Sequence, residues 1–449
     1  MNERWNLDSL YHGFSDPNFT GDLQALKVAC GRFDTFTKSL EEMDPAHALR
    51  QGIEALEEIS SLSNLLLEYA SLRQSADPSD AEASSALGQV MAVVSQCAGA
   101  YARFQTYAAG LPNLDEILEA DELLRQYRFY FRQVREGSRY LLGSQGEDIM
   151  AKMQLSGSSA WSDLQAYLTS TVSVDYNGGA TNLSAIRNLA YDPDPAVRKA
   201  AYEAELACYD KIKDPVAFAL NSIKLETIYA AQLRGYESPL DKALKDARMQ
   251  RATLDAMFAA IDEYLPKFWA YLKAKAKALG HENGLPWYDL FAPMGKSGKT
   301  YTTEEARDYL LNLFGQFDTE LRDMVAEAFS NAWIDFFPRP GKTGGAFCAN
   351  VEKLNESRIL TNFDGSFSDI VTLALELGHA FHNHILNDQR ALNRDYTMPV
   401  AETASTFNEC VVMNAAIAAA TDREEKLALI ESQLRRHPDH LRHLLPVPV

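Results

Sequence analysis

The chain has 449 residues, of which 46% are hydrophobic and 23% are charged, a balance typical of a globular protein with a sizeable core. The formal net charge of −19 disfavours nucleic acid as a partner, because binding to a phosphate backbone requires clustered Lys and Arg. Five scattered cysteines argue against a disulfide framework and fit a reducing compartment. Met1 to Leu7 contains no apolar signal segment, and the apolar run from Val411 to Ala420 is too short to span a bilayer. We therefore expect a cytoplasmic protein with no membrane partner.

The first part of the chain has the apolar spacing of helices. This periodicity runs from about residue 20 to about residue 150, with breaks at Asp77–Asp80 and Pro112–Asn113. Residues 168–183 differ, because β-favouring residues flank Asn177-Gly178-Gly179, which is typical of a hairpin turn. We predict an N-terminal helical domain over residues 1–190 that ends in this β-hairpin.

A second helical region begins after the hairpin. Asp194 can cap a helix whose first residue is Pro195. The spacing of apolar residues then predicts helices over about 196–230, 251–280 and 303–330.

Residues 335–364 interrupt this helical region. They contain a glycine-rich loop and two predicted short strands, Ala346–Cys348 and Arg358–Phe363. An extended peptide can bind by adding a strand to an exposed sheet edge. The alternative is that the strands only support the helix that follows. The predicted fold class is mainly α, with small β-hairpins, one of them next to that helix.

The next helix carries an incomplete metal-binding pattern. It is predicted to begin at Ser366 or Ser368, either of which can cap it, and to run to about residue 386. Zinc peptidases use His-Glu-x-x-His, in which two histidines on one helical face bind zinc and the glutamate acts as base on a water. Here Glu376 and His379 are in place, but Leu375 occupies the first position and cannot ligate a metal.

A further helix, predicted from about Tyr396 to Pro399 onward, carries two more candidates. Glu402 and Glu409 are two turns apart and share one face. If the two helices pack against each other, these carboxylates could meet Glu376 and His379. The alternative is ordinary, since a lone histidine on an apolar helix is usually structural and helical glutamates are usually solvated. Spacing alone therefore leaves both interpretations open.

Several segments, in a consistent order, are similar to one protein family: Ile186–Leu189, Leu220–Lys224, Arg234–Leu240, Pro286–Leu290, Pro340–Phe347 and Pro399–Glu409. From Asn2 to about Leu434 the chain resembles the oligoendopeptidase F branch of the thimet-oligopeptidase-like zinc metallopeptidases. The resemblance implies a cytoplasmic, mainly helical enzyme that encloses a channel for short peptides. It also implies a catalytic domain over residues 191–434.

The same resemblance assigns roles to individual residues. It implies zinc as the cofactor, with His379 as the second zinc histidine and Glu402 as the third ligand. Glu376 is then the catalytic glutamate, and Glu409 is a possible partner that supports the ligands. The substrate backbone is expected along the glycine-rich loop, at Gly344, Gly345, Ala346 and Phe347.

Two features depart from the family pattern. Leu375 stands where the family has its first zinc histidine, and His382 is not expected to substitute, since a histidine there accompanies the intact signature in the family. The sequence does not say whether Leu375 is natural or introduced. Residues 435–449 form a basic, proline-containing tail where the family continues with further helices. We expect a truncation by a frameshift near Leu434, and the alternative is a naturally short basic tail.

These observations predict a zinc metalloendopeptidase of short peptides by descent, whose activity is impaired by Leu375 and by the short C-terminus. A non-catalytic protein that still binds peptides is the alternative. A third possibility is a decaying gene product whose shortened core folds poorly and exposes apolar surface.

Overall fold

The structure, a computed structural model, describes residues 3–295, 299–339 and 341–442, with side chains described up to residue 435. It is mainly helical with small sheets, which confirms the predicted fold class. The helices before the hairpin are α1 (Pro17–Phe36), α2 (Pro45–Ala76), α3 (Ala81–Ser95), α4 (Ala98–Gly110), α5 (Leu114–Ala120), α6 (Glu122–Gln126), α7 (Arg128–Gly137), α8 (Gly143–Ser156) and α9 (Ser158–Thr171).

The later helices are α10 (Leu183–Asn188), α11 (Pro195–Tyr209), α12 (Lys213–Arg234), α13 (Pro239–Asp246), α14 (Arg251–Ala278), α15 (Thr303–Phe317), α16 (Thr319–Ser330), α17 (Phe367–Leu386), α18 (Met398–Ala419) and α19 (Arg423–Arg442). The strands are β1 (Ser173–Tyr176), β2 (Gly179–Asn182), β3 (Ile334–Asp335), β4 (Phe347–Val351) and β5 (Glu356–Leu360). Short 3-10 turns lie at Leu40–Glu42, Ser138–Tyr140, Leu189–Tyr191, Trp287–Asp289, Glu352–Leu354 and Ala391–Asn393.

Helices α1 to α7 share one large hydrophobic core. Asp16, Asp44 and Asp80 are the N-caps of α1, α2 and α3, because each side chain accepts a hydrogen bond from a backbone N–H of the first turn. The predicted breaks are confirmed, since α2 ends before Asp77 and α4 ends before Pro112. Fully buried side chains at the centre of this core include Leu26, Leu49, Ile53, Leu66, Phe104 and Phe131.

The cysteine prediction is wrong in one respect. The structure records a disulfide between Cys30 of α1 and Cys97, which lies between α3 and α4, with the two Cα atoms 5.6 Å apart. The two residues are 67 positions apart in sequence, and only the packing of α1 against α3 brings them together. The other cysteines, Cys208, Cys348 and Cys410, are free.

The predicted hairpin is confirmed. Strands β1 and β2 pair antiparallel, with Tyr176 opposite Gly179. Asn177 and Gly178 form the two-residue turn, and both have positive φ angles, of 51° and 78°. An Asn-Gly turn of this kind matches the twist of the two strands.

Two of the predicted later helices are divided. Asp194 caps α11 with Pro195 in its first turn, as predicted, but α11 ends at Tyr209 and α12 begins at Lys213. The predicted helix over 303–330 is interrupted at Asp318, whose side chain accepts from the backbone N–H of Leu321 and so begins α16. Apolar spacing continues across such short breaks and therefore does not reveal them.

The second sheet has the strand order β3-β5-β4. Strand β3 runs parallel to β5, and β4 pairs antiparallel with β5, with Phe347 opposite Leu360 and Val351 opposite Glu356. Both predicted strands exist, although β5 begins two residues earlier than predicted and ends at Leu360. Strand β4 therefore lies at an edge of this sheet.

Helix α17 packs on β4 and β5 and lies alongside α18. Its apolar residues join those of α15, α16 and the sheet in a second core, which includes Leu310, Phe314, Trp333, Ile359, Leu373 and Leu377. Within the described parts of the chain, no helix is both long enough and apolar enough to cross a membrane. The proposed division at residue 190 and the nature of the tail stay predictions, and residues 443–449 of that tail lie outside the described residues.

Candidate active site

The helix that carries the candidate residues begins with a reciprocal pair of hydrogen bonds. The Ser366 side chain accepts from the backbone N–H of Asp369, and the Asp369 carboxylate accepts from the backbone N–H of Ser366. Ser366 is thus the cap, rather than Ser368. The helix then runs from Phe367 to Leu386, with most of its apolar face buried.

Helices α17 and α18 approach closely because of one glycine. A Cβ atom at Gly378 would lie 2.6 Å from the carbonyl oxygen of Ala404 and 2.8 Å from the Cα of Ser405. Real Cβ atoms do not come this close to backbone, so only glycine allows this approach. The close contact brings the residue next to Gly378, His379, opposite the first turns of α18.

His379 and Glu402 meet across this contact. His379 Nε2 lies 3.5 Å from Glu402 Oε2, and Ser405 Oγ donates a hydrogen bond of 2.7 Å to the same carboxylate oxygen. Burial lowers the pKa of His379, while Glu402 and the backbone of Ala401 act in the opposite direction. The neutral imidazole that burial favours is the form that can ligate a metal.

Glu376 is buried beside this pair, with its Oε2 atom lacking a hydrogen-bond partner. Burial, and then the Glu402 carboxylate, raise the pKa of Glu376 to about 8. The Cys348 thiol of β4 lies close enough for the Glu376 charge to raise its pKa further, although burial is the larger cause. A thiol with a raised pKa is a poor nucleophile, so Cys348 is better explained as a packing residue.

Two other polar residues of these helices are at least half-buried. His382 is half-buried and packs against Tyr396, with the ring centroids 4.4 Å apart and the rings tilted by 40°, and its Nδ1 atom has no hydrogen-bond partner. Glu409 lies about two turns beyond Glu402 and is buried in α18. The structure therefore brings together Glu376, His379 and Glu402, and the supporting role of Glu409 stays a prediction.

The residues present do not form a complete zinc site. Among the residues that the structure describes, no three His, Cys, Asp or Glu side chains converge as metal ligands. His379 and Glu402 supply two candidate ligands, whereas catalytic zinc sites usually have three from the protein. Leu375, one turn before His379, supplies none. The donor set thus falls short of the zinc ion that the sequence resemblance implies.

The glycine-rich loop borders a separate large cavity. Gly344 and Gly345 help to line this cavity of about 1680 Å³, which lies between α3, α9, α10, α11 and the loop. The loop is held by Asn362, whose Nδ2 donates to the carbonyl oxygens of Thr343 (3.1 Å) and Gly345 (2.8 Å). A side chain at Gly344 would collide with Ser184 Oγ, at 2.6 Å.

Strand β4 connects this cavity with the helix pair. Gly345 lines the cavity, Ala346 follows it, and Cys348 lies beside Glu376. Gly345 and Cys348 are three residues apart, which is only about 10 Å at about 3.3 Å per residue of extended chain. The Phe347 side chain packs against Trp5, with ring centroids 6.2 Å apart, so its contribution to a ligand would come from the backbone.

Sequence reasoning did not identify Ser405 or Asn383. The signal for Ser405 was available, since it lies three residues after Glu402 and therefore on the same helical face. Asn383 is buried and links three elements: its Nδ2 donates to Ser357 Oγ (3.3 Å) in β5, and its Oδ1 accepts from Tyr396 (3.3 Å). No local pattern predicts this link.

Two models of known protein families match separate parts of this chain. A model described as "Peptidase family M3" matches residues 188–440, and one described as "Oligopeptidase F" matches residues 111–173. An oligoendopeptidase F homolog of Mycoplasma pneumoniae is 27% identical over 435 residues, which cover 91% of this chain and 68% of that protein. Oligopeptidase PepF of Bacillus subtilis is 23% identical over 442 residues, which cover 96% of this chain and 65% of that protein.

A solved structure confirms the fold. The crystal structure of a putative oligoendopeptidase F from Bacillus anthracis superposes with a TM-score of 0.74 at 18% identity. The match covers 99% of this chain but 77% of that one. The chain thus spans about two thirds to three quarters of the length of the proteins that it matches.

Proposed function

We propose that this chain, which belongs to peptidase family M3 in its oligopeptidase F branch, descends from metalloendopeptidases that cleave short peptides. We also propose that its own hydrolytic activity is impaired. The observation that carries this proposal is the arrangement of one face of α17. Glu376 and His379 of this helix both lie close to Glu402 of α18. This arrangement supports Glu376 as a general base and His379 and Glu402 as two metal ligands. Leu375 occupies the position where a third ligand would complete the set.

The impairment follows from the chemistry of Leu375. An aliphatic side chain offers no lone pair, so a metal held only by His379 and Glu402 would bind weakly. Few protein molecules would then carry the metal, so few would hold a water molecule whose pKa is lowered toward neutral pH. Glu376 would then have no activated water from which to take a proton.

Peptide binding does not depend on the missing ligand. Strand β4 pairs with β5 on one side only, and among the described residues no strand pairs with its other side. An extended peptide can form backbone hydrogen bonds along such an edge, in a sequence-tolerant manner. Gly344 and Gly345 open this edge to the large cavity, which supports short peptides as the ligand class.

The test of impaired hydrolysis compares the chain with its Leu375→His variant. We measure bound zinc in both purified proteins and the cleavage of an internally quenched fluorescent peptide, with and without a chelator. We expect little zinc and little turnover in the parent. Because loss of a residue that only orients a ligand already costs about 10–100-fold, a restored ligand should raise turnover by about 100-fold or more.

The matched control is Glu376→Gln in the Leu375→His background, which should bind zinc but cleave poorly. Substantial chelator-sensitive turnover by the parent chain would contradict the proposal of impairment. If Leu375→His binds zinc stoichiometrically but does not cleave, Leu375 is not the sole cause of the impairment.

The alternative function is a peptide-binding protein without catalysis, which the free edge of β4 specifically favours. It predicts peptide affinity of roughly micromolar strength, about −8 kcal/mol, in calorimetry. A matched peptide with N-methylated backbone amides should bind much more weakly, because it cannot donate hydrogen bonds to the strand. Equal binding of both peptides would exclude pairing with β4.

A further inference from the structure

Residues of helices α5, α6 and α7 line a second cavity, of about 720 Å³. Four exposed arginines border it: Arg125 at the end of α6, and Arg128, Arg132 and Arg135 on α7. Only two carboxylates are among its lining residues. The whole chain has a net charge of −19, so this cavity is locally opposite in charge to the protein that contains it.

The three arginines of α7 lie on one face of the helix. Arg128, Arg132 and Arg135 are four and three positions apart, which makes their side chains neighbours on the helix surface. The buried residues Phe131 and Val134 occupy another part of the circumference. Like charges at this spacing repel each other and destabilise a helix. The cluster is therefore unfavourable for the folded chain unless negative charge neutralises it.

The carboxylates of the cavity neutralise the arginines incompletely. Glu119 is shared by two of the arginines and lies 3.1 Å from Arg128 Nη1. Asp115 lies 3.1 Å from Arg135 Nη1. Arg132, between these two arginines on α7, has no hydrogen-bond or ion-pair partner among the residues that the structure describes. Exposed ion pairs contribute little to stability, so a ligand of higher negative charge can replace both carboxylates.

The span of the cluster favours one class of anion. Arg128 and Arg135 are seven residues apart, which is about 10 Å along the helix axis. An extended acidic peptide turns every second side chain to one side, about 6.6 Å apart, and so presents about two carboxylates over this length. A phosphate group carries up to about two negative charges and accepts two parallel hydrogen bonds from a guanidinium group. Linked phosphates therefore match the charge of the cluster better than a peptide does.

We infer that this cavity is a binding site for a small anion with several phosphate groups, either an inorganic polyphosphate or a nucleoside triphosphate, which Arg125, Arg128, Arg132 and Arg135 hold. A volume of about 720 Å³ is within the range of small-molecule sites. A nucleic acid is disfavoured by the net charge of the whole chain. The inference does not depend on the proposed peptidase function, since none of these residues belongs to the candidate active site.

The test is a calorimetric titration of the full chain with inorganic tripolyphosphate and, separately, with ATP, in a magnesium-free buffer of low ionic strength. We expect one site with a dissociation constant on the order of tens of micromolar. The binding should weaken as salt is added, because exposed charges are screened.

The two ligands distinguish the two sources of phosphate. Phe129 lines the cavity and is 49% exposed, so its ring is available to stack on a base. Tighter binding of ATP than of tripolyphosphate would support a nucleotide as the ligand. Equal binding of the two would support recognition of the phosphate chain alone.

Substitutions of opposite sign locate the site. Arg132→Gln should weaken the binding of tripolyphosphate about tenfold, because it removes hydrogen bonds to a charged ligand. Glu119→Gln should strengthen the binding about threefold, because it releases two arginines from an exposed carboxylate. A purely structural role of these side chains would not produce such a gain.

The matched control is Arg32→Gln on α1. Arg32 is an exposed arginine that pairs with Glu58 and does not line the cavity. Its replacement changes the net charge by the same amount as Arg132→Gln. It should leave the affinity within about twofold of the parent, because salt screens distant exposed charges.

Three results would overturn the proposal. The first is the absence of binding at about 1 mM tripolyphosphate, a concentration that would fill even a weak site. The second is an Arg132→Gln variant that binds as tightly as the parent. The third is citrate, a small anion with carboxylates only, binding as tightly as tripolyphosphate, because the site would then not be selective for phosphate.

Discussion

Helices α14 and α17 have similar apolar patterns and very different surroundings. Helix α17 buries Ile370, Leu373, Leu377 and other residues along its whole length, because α18, the three-stranded sheet and α16 cover it. Helix α14 is longer and buries only Lys275 and Ala276. The comparison teaches that an amphipathic pattern shows which face of a helix is suited to burial, but not whether a partner is present to bury it.

The largest loss of stability is expected from the buried ion pair that joins α14 to α19. Lys275 Nζ lies 2.5 Å from Glu431 Oε1 of α19 and also donates to the carbonyl oxygen of Leu290 (2.8 Å). The Lys275→Met variant leaves the buried Glu431 carboxylate without its cation and should lower the free energy of unfolding by about 3–5 kcal/mol, measured in urea.

The paired control is the double variant Lys275→Met with Glu431→Leu. Removing both charges should restore most of the stability, since a buried ion pair replaced by apolar residues is often neutral. If the single variant loses less than about 1 kcal/mol, α14 does not depend on this anchor.

The next prediction compares a leucine on the covered helix α17 with a leucine on the exposed face of α12. Leu373→Ala on α17 removes a fully buried side chain and should cost about 2–5 kcal/mol of unfolding free energy. Leu225→Ala on α12 removes a half-exposed side chain and should change it by no more than about 0.5 kcal/mol. Equal losses in urea unfolding would mean that α12 is covered after all.

A smaller effect is expected from the close contact of α17 with α18. Gly378→Ala places a Cβ atom within 3 Å of the α18 backbone and should lower the free energy of unfolding by about 1–3 kcal/mol. Gly31→Ala on α1 has open space around its Cβ and should instead stabilise by up to about 1 kcal/mol, through helix propensity. Chemical denaturation of both variants tests the difference in sign.

The last prediction concerns a covered carboxyl group. Burial, and to a smaller extent Glu352, raise the pKa of Glu68 on α2 to about 7, from a usual value of 4.5. Between these values the folded chain holds a proton that the unfolded chain has lost, so stability falls as the pH rises through this window. The Glu68→Gln variant should lack this decline and gain on the parent up to about pH 7.

Thermal unfolding from pH 4.5 to pH 8 measures this gain. The exposed Glu116→Gln serves as the control and should follow the parent profile. A constant difference between Glu68→Gln and the parent across the whole range would show that the carboxyl group is not shielded in the folded chain.

Much of the fold could be predicted from local signals. Asp194 with Pro195, the Asn177-Gly178 turn and the Ser366 cap are each decided by residues a few positions apart, and all three are observed. The breaks at Asp318 and between α11 and α12 were missed, because apolar spacing continues across them. The disulfide between Cys30 and Cys97 was missed because it joins distant parts of the chain.

The candidate site was predicted in part. The sequence placed Glu376 and His379 on one helix and Glu402 on the next, and their convergence depended on the packing of those helices. That packing rests on Gly378, whose importance no spacing rule indicated. The partners Ser405 and Asn383 appear only when the helices and the sheet are assembled.

The sequence by itself determined the helical class, the turn and cap positions and the placement of Leu375 one turn before His379, because these depend on side-chain chemistry and short-range spacing. The tertiary structure alone decided that Glu376 is buried, that His379 meets Glu402 and that Phe218, Leu225 and Leu233 of α12 remain exposed. Burial, charge proximity and coverage are properties of long-range packing, and local sequence carries no direct record of them.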